Sequence, residues 1–333
     1  MLMTKDQRQA MKLRNKYAME TPSPLEGEGR GEGSNLAYDD TKAISENAAG
    51  WFRPFVNFES VGLKNGPKVK NNIYGTFAGF DSGITELGSG WDGMWSVYAG
   101  YNGSHQHYDG IGIYQNGGTL GLTGMLYKDN FFTGLTANVG ANAANASTMY
   151  GNEDFAMLMT GAALKTGYNW ELADGKFIIQ PNYQMSYSMV NTFDYTNSAG
   201  VRVKSDPLHA ITFEPGVKFI GNLPNGWQPY AGVSVVWNVL DKTDVKANDV
   251  SLPNMSVKPF VKYGAGVRKT WGERLTGFIQ TFITNGGRNG IGFQAGFKWF
   301  LGKENSSKAK KSQNKMPEKE QTKITLKNIK QPE

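Results

Sequence analysis

The stretch FIIQPNYQMSYSM, residues 177–189, alternates apolar and polar side chains with a period of two. Its odd-numbered positions, from Phe177 to Met189, are apolar or aromatic, apart from Pro181, and its even-numbered positions are mostly amides and hydroxyls. Successive side chains of a β-strand point to opposite faces of a sheet. The pattern therefore predicts a strand with one apolar and one polar face. Residues 210–219, 229–238 and 257–268 repeat it.

About twelve segments of this kind lie between residues 51 and 301, separated by turn-forming residues. Many are longer than the five or six residues of a typical soluble strand, and they match the length of about nine to eleven residues that a tilted membrane strand needs. An even number of antiparallel strands allows closure with both ends on one side. The predicted fold is all-β: a 12-stranded antiparallel transmembrane β-barrel with a short N-terminal helix, which could lie inside the lumen.

The facing of each strand predicts which side chains point inwards. In a membrane barrel the apolar face contacts lipid and the polar face lines the lumen. A lumen of twelve strands could hold a helix or an extended hairpin, but not a folded domain. The side chains predicted to line it are Arg53, Gln180, Asn182, Gln184, Glu214, Lys218, Lys258, Lys262, Arg268, Gln294 and Lys298.

Loop lengths and aromatic positions support the barrel. Long loops, predicted to be external, alternate with short turns, as outer-membrane barrels require. The predicted long loops are residues 61–71, 104–115, 142–153, 193–206 and 241–254. Aromatic residues near strand ends are typical of an interfacial girdle, and here they are Trp51, Phe52, Trp91, Trp170, Trp227, Trp237, Trp271, Trp299 and Phe300.

The regions outside the barrel are predicted from composition. Residues 1–38 read as a charged helix and a Pro/Gly/Glu-rich linker, residues 39–50 as a linker helix, residues 51–302 as the barrel, and residues 303–333 as a Lys-rich disordered tail. The first 20 residues lack the apolar run of a secretory signal, so we expect the signal of an exported protein to lie outside this chain.

Composition excludes several classes of function. The chain has no cysteine, which excludes disulfide scaffolds, thiolate zinc sites and thiol catalysis. Its net charge of +6 comes mostly from residues 303–333, so charge is weak evidence for nucleic-acid binding. No cofactor and no nucleic-acid partner are predicted. His105 and His107 could bind a metal with Asp109, but the favoured interpretation is that of ordinary polar loop residues.

An enzyme is also not predicted. The chain contains no Gly-x-Ser-x-Gly elbow. His209 lies near Asp206 at a predicted strand start, and both are interpreted as residues of the barrel rim. A hydrolase active at that rim is the least favoured of the alternatives.

Residues 40–302 resemble the C-terminal translocator domain of autotransporters. The segments WFRPFVNFESVG (51–62), NNIYGTFAGFDSGI (71–84) and WSVYAGYNG (95–103) are similar to the first three strands of that family. GWQPYAGVSVVW (226–237) and KYGAGVRKTWGERLTGFIQTF (262–282) are similar to its ninth to eleventh strands. GIGFQAGFKWFL (290–301) is similar to its alternating aromatic last strand.

The resemblance implies a function. Such a domain is an outer-membrane barrel that anchors an N-terminal passenger segment and helps to carry it to the cell surface, with loops exposed there. Its expected partners are outer-membrane lipid and lipopolysaccharide, its own passenger, and the barrel assembly machinery, which reads the last strand. The residues expected to form that assembly signal are Phe293, Gly296, Phe297, Trp299, Phe300 and Leu301.

Two departures and two alternatives remain. The family usually ends at the last strand, whereas here residues 303–333 follow it, and about fifty residues precede Trp51 where a large passenger is expected. The passenger is therefore absent from this chain, vestigial or encoded upstream. The alternatives are a passive outer-membrane pore and an adhesin anchor that uses long external loops.

Overall fold

The structure, a computed structural model, describes most of the chain between residues 47 and 301. The described residues are 18–19, 39–40, 47–64, 68–108, 110–148, 151–198, 200–239, 245–247, 250–251, 256–272 and 274–301. The chain divides into two units, Met1–Gly302 and Lys303–Glu333, and the predicted tail lies outside the described residues.

Twelve long antiparallel strands form the principal sheet. They are β1 (Ala49–Lys64), β2 (Lys68–Asp81), β3 (Trp91–Tyr108), β4 (Ile111–Lys128), β5 (Phe131–Thr148), β6 (Gly151–Tyr168), β7 (Phe177–Thr192), β8 (Leu208–Gly221), β9 (Trp227–Val239), β10 (Phe260–Trp271), β11 (Leu275–Gly286) and β12 (Arg288–Phe300).

The sheet closes on itself. Each strand pairs with its neighbours in sequence, and β12 pairs with β1 from Arg288 opposite Val61 to Phe300 opposite Ala49. The predicted 12-stranded antiparallel barrel is therefore confirmed. Closure removes the two free edges that an open sheet would present.

Several short strands pair with the long strands or with one another. Thr85–Gly88 pairs with β3, Trp170–Leu172 with β7 and Ser256–Val257 with β1. A separate four-stranded sheet consists of Tyr195–Thr196, Arg202–Ser205, Val245–Ala247 and Val250–Ser251. Ala18–Met19 pairs with Asp39–Asp40, and Pro224–Gly226 is a 3-10 turn.

The two ends of the barrel differ. At one end, called the terminal end, lie Ala49, Phe300 and the connections 82–90, 129–130, 169–176, 222–226 and 272–274, none longer than nine residues. The opposite end, called the loop end, carries the two longest connections, 193–207 and 240–259, besides the short turns 65–67, 109–110, 149–150 and 287. Outer-membrane barrels have short periplasmic turns and longer external loops. This rule predicts that the terminal end faces the periplasm.

Three of the predicted long loops are much shorter in the structure than predicted. Residues 61–71, 104–115 and 142–153 belong largely to paired strands, which leave only 65–67, 109–110 and 149–150 between them. Turn-forming Gly and Asn residues marked these segments as loops. Their ladders continue because each strand has a full-length antiparallel partner beside it, such as β3 for β4.

The predicted helix over residues 39–50 is not shown. Asp39–Asp40 and Ala49–Gly50 are in strands, and residues 41–46 lie outside the described residues. Pairing of Ala49 with both Asp81 and Phe300 extends β1 into the segment, where barrel closure outweighs helix propensity. The predicted charged helix in residues 1–38 also lies largely outside the described residues. No helix within the described part of the chain has the length and apolarity needed to cross a membrane.

The two faces of the sheet have opposite chemistry. On β4, Leu120 and Leu122 are more than half exposed on the outside, whereas Thr119 and Thr123 are buried inside. This alternation is what a lipid-facing exterior and a polar interior require. Exposed tryptophans gather at the terminal end, as an aromatic girdle predicts; they are Trp170, Trp227, Trp271 and Trp299. Trp51 and Phe300, placed in that girdle by the sequence, instead point inwards.

Inside the barrel, aromatic rings lie flat over glycines of the next strand. A Cβ added to Gly100 would stand 2.2 Å from the ring of Phe77, and one added to Gly121 would stand 2.0 Å from that of Tyr98. Glycine is therefore needed at these positions for close packing rather than for backbone conformation. Phe77 also stacks on Phe55 at 5.5 Å between ring centroids.

The packing predicts that Gly100→Val destabilises the barrel. The new side chain displaces the Phe77 ring, and overpacking of this kind costs about 1–3 kcal/mol. Gly124→Val on the adjacent strand β4 is the matched control, because a Cβ there meets nothing within 4 Å. Urea unfolding in lipid vesicles measures both. Equal losses of unfolding free energy in the two variants would contradict the packing.

Candidate functional site

The interior wall of the barrel is the candidate functional site. Of the eleven side chains predicted to line it, seven are buried in the interior: Arg53, Gln180, Glu214, Lys218, Lys262, Arg268 and Lys298. Asn182, Gln184 and Gln294 are half-buried. Lys258 is exposed and lies between Ser256–Val257 and β10, because the alternation breaks there and brings both Val257 and Phe260 inwards.

Glu214 organises the wall between β8 and β10. Lys262 Nζ lies 2.8 Å from Glu214 Oε1, and Ser234 Oγ on β9 donates to the same oxygen at 2.7 Å. The side chain of Lys262 is 1% exposed. Burial of a charge is costly unless it is paired and hydrogen-bonded, so this contact stabilises charges that hydrocarbon would not accept.

Asp81 forms a second centre, at the terminal end. Lys298 Nζ lies 2.6 Å from Asp81 Oδ2, and Trp51 Nε1 donates to Asp81 Oδ1 at 2.8 Å. The three residues belong to β12, β2 and β1. They therefore link the closing pair of strands to its neighbour through side chains as well as backbone.

A third centre lies towards the loop end. Arg288 Nη1 is 3.2 Å from Glu59 Oε2 across the β12–β1 seam, and Asn71 Nδ2 donates to Glu59 Oε1 at 3.1 Å. A cavity of about 20 Å³ beside Glu59, Lys262 and Arg288 has room for about one water molecule.

Two other buried cationic side chains lie against the faces of aromatic rings. The guanidinium of Arg53 lies 5.2 Å from the Trp51 ring centroid, and Lys218 Nζ lies 5.1 Å from that of Tyr230. Cation–π contacts gain strength when they are desolvated. The wall thus holds its cations with both carboxylates and ring faces.

The buried charges are unequal in sign. Among the described residues the buried side chains include seven basic and four acidic groups; the basic ones are Arg53, Lys165, Lys218, Lys262, Arg268, Arg288 and Lys298, and the acidic ones are Asp81, Asp92, Glu153 and Glu214. Glu59, with an 8% exposed side chain, adds a fifth carboxylate. Basic residues therefore outnumber acidic residues in the interior.

Comparison with known proteins identifies the family. Residues 50–279 match the autotransporter β-domain. The chain belongs to the autotransporter β-domain family. Its barrel is an outer-membrane translocator that carries a passenger segment, and translocator domains of this kind are non-catalytic barrels. No curated protein matches the chain.

Solved autotransporter barrels share the fold. The transport unit of AIDA-I from Escherichia coli has 17% identity and a TM-score of 0.67, with 89% of this chain and 97% of that one covered. The β domain of the Bordetella autotransporter BrkA has 20% identity and a TM-score of 0.62, with 76% and 99% covered. The translocator domain of NalP from Neisseria meningitidis has 10% identity and a TM-score of 0.56, with 76% and 88% covered.

The last strand of this autotransporter barrel exposes alternate aromatic residues. Phe293, Phe297 and Trp299 face outwards and are 45–59% exposed. Phe300 is buried, with Lys298 Nζ 5.5 Å from its ring centroid. Leu301 follows β12 and is exposed, whereas Gly296 is half-buried. These are the residues predicted to form the assembly signal, and that role stays a prediction.

Sequence reasoning missed several interior groups. Asp81, Lys165 and Arg288 are buried charges, and Phe55 and Phe77 form an apolar cluster of the wall with Ile73 and Tyr98. The period of two in β1 and β2 could have revealed the aromatic pair, since Phe55 shares its face with Arg53.

The histidines contact aromatic rings. His105 packs on Tyr114, with 4.7 Å between the ring centroids, and Tyr187 Oη lies 2.8 Å from His209 Nδ1. Asp109 lies outside the described residues. Within the described residues no group of three or more His, Asp or Glu side chains could hold a metal ion.

The buried ion pair predicts a large effect of Glu214→Gln. The change leaves Lys262 charged and buried without its carboxylate, which costs about 3–5 kcal/mol of unfolding free energy. The control is Asp194→Asn, which breaks the exposed pair with Arg202 at 3.3 Å and should cost less than about 1 kcal/mol. Denaturant unfolding monitored by tryptophan fluorescence distinguishes them. Similar costs would refute the interior placement of the Glu214 pair.

Proposed function

We propose that this barrel carries the segment that precedes β1 from the periplasmic mouth through the lumen to the cell surface. The observation that supports this most is the position of Ala49, at the terminal end beside the short turns. A segment that starts there reaches the surface only through the lumen. Residues 1–48 extend to about 160 Å at most, several times the membrane thickness of about 45 Å.

The buried wall is proposed to serve this passage. Lys218, Lys262 and Arg268 offer cations to an extended chain, and the half-buried amides Asn182, Gln184 and Gln294 offer hydrogen bonds to its backbone. Residues 1–48 contain eight acidic and seven basic residues, and the acidic ones concentrate next to β1: residues 20–48 hold seven acidic residues, among them Asp39, Asp40 and Glu46, and two basic ones. This acidic stretch is complementary to the basic side chains of the wall, which supports its passage through the lumen.

The partners follow from the same arrangement. β12 is proposed to present Phe293, Phe297 and Trp299 to the outer-membrane barrel assembly machinery. The exterior is proposed to contact membrane lipid and lipopolysaccharide. The connections at the loop end are proposed to lie at the cell surface, and no catalytic step is proposed for them.

A second candidate function is supported by the four-stranded sheet of the loop end. Two connections, 193–207 and 240–259, contribute its strands, and Arg202 pairs there with Asp194. An ordered sheet on a membrane anchor is a suitable platform for adhesion. In that case the loops rather than the N-terminal segment carry the function.

Surface display tests the proposal. The full chain, behind a secretory leader and an N-terminal epitope, should show the epitope to antibody on intact cells. Val233→Arg is the matched negative control, because an arginine on the lipid face near the midplane costs about 2–4 kcal/mol and blocks assembly. Val233 is the central residue of β9 and is 43% exposed on the outside of the barrel.

One result of the surface-display experiment would contradict the proposal. An epitope that stays inaccessible on intact cells but becomes accessible after permeabilisation, while the barrel is folded by heat-modifiable mobility, would refute transport. Binding of the same cells to a host matrix would then favour the adhesin.

A further inference from the structure

The outer surface has a groove at the terminal end, across the seam of β12 and β1. Its volume is about 820 Å³, within the range of about 300–1,000 Å³ typical of small-molecule sites. Pro54, Gly277 and Ala295 line it with small side chains, and Ile279 and Trp299, both about 60% exposed, stand beside them. Small residues between large ones leave a depression that a long apolar chain can fill.

The groove covers the part of the seam with the least backbone pairing. The ladder between β12 and β1 runs as far as Gln294 opposite Phe55 and resumes at Phe297 opposite Phe52. Pro54 lies in the interruption and has no amide hydrogen to donate. An apolar occupant of the groove would keep water away from this interruption.

Two cations stand at the end of the groove. Lys269 Nζ lies 5.0 Å from the Trp227 ring centroid and donates to the carbonyl of Asn225. Arg274 lines the same groove from the turn between β10 and β11. No described lining residue is acidic, and Glu273 lies outside the described residues. Basic pockets at membrane depth bind anionic lipid headgroups.

We propose that this groove binds one anionic glycerophospholipid of the periplasmic leaflet. An acyl chain lies over Pro54, Gly277 and Ala295, and the phosphate contacts Lys269 and Arg274. The occupant is a membrane lipid because the surrounding outward face is apolar and lies in hydrocarbon. The leaflet follows from the terminal end facing the periplasm, so this inference rests on the proposed orientation but not on transport of a segment.

Lipid retention tests the site. The full chain is reconstituted in nanodiscs of equal phosphatidylglycerol and phosphatidylcholine, released, and weighed by native mass spectrometry. The chain should retain one phosphatidylglycerol. Neutralising each cation should weaken retention about five-fold, and Lys269→Gln with Arg274→Gln together about thirty-fold. Lys128→Gln is the matched control, because Lys128 Nζ also stands over a tryptophan at this end, 5.4 Å from the Trp91 ring centroid, but outside the groove.

Filling the groove gives an independent measurement. Ala295→Leu should reduce retention, whereas Ala137→Leu on the exposed face of β5 should not. Heat-modifiable mobility verifies that each variant is folded. Equal retention by the double variant and Lys128→Gln, or by Ala295→Leu and Ala137→Leu, would overturn the site. In a second set of nanodiscs that also contains lipopolysaccharide, preferential retention of lipopolysaccharide over phosphatidylglycerol would overturn the assignment to the periplasmic leaflet. Surface display by the same variants should be unchanged, so failure of the site and failure of transport are distinguishable.

Discussion

The fold depends on one constraint: in hydrocarbon each backbone amide and carbonyl must find a partner within the protein. The pairing of β12 with β1 meets it, because without that seam two strand edges would face lipid. Closure also places Ala49, at the start of β1, opposite Phe300, at the end of β12. The interruption at Pro54 is therefore the place where the constraint is met least completely.

Closure also explains the chemistry of the interior. Twelve strands bring inward side chains close enough that Lys218, Lys262 and Arg268 are each only 1% exposed. At that burial a charge needs a compensating group, and the wall supplies Glu214 for Lys262 and the Tyr230 ring for Lys218. The arrangement is a compact wall rich in basic side chains rather than a wide aqueous channel of the sixteen-stranded kind. Passage of a chain must then exchange wall contacts for contacts with the chain.

The period of two in the sequence predicted the features that depend on one strand alone. The alternation in residues 177–189 predicts β7 and its two faces, and the same rule predicts that Glu214 and Lys262 point inwards, where the structure has them in contact. It could not predict that β1 continues from Val61 to Lys64, since the length of a paired strand depends on its partner. Nor could it predict that Trp51 turns inwards to Asp81, a contact between residues 30 positions apart. The face on which a side chain lies is determined within its own strand, whereas its contacts with other strands depend on the closed sheet.

A scan along β4 tests the closed, lipid-facing ring most directly. The chain has no cysteine, so single cysteines at residues 118–120 and 122–125 can each carry a nitroxide in lipid vesicles. Collision with oxygen should alternate with a period of two, high at Leu120 and Leu122 and low at Thr119 and Thr123. Uniform collision with a water-soluble nickel reagent along the strand, or a period near 3.6, would contradict the account.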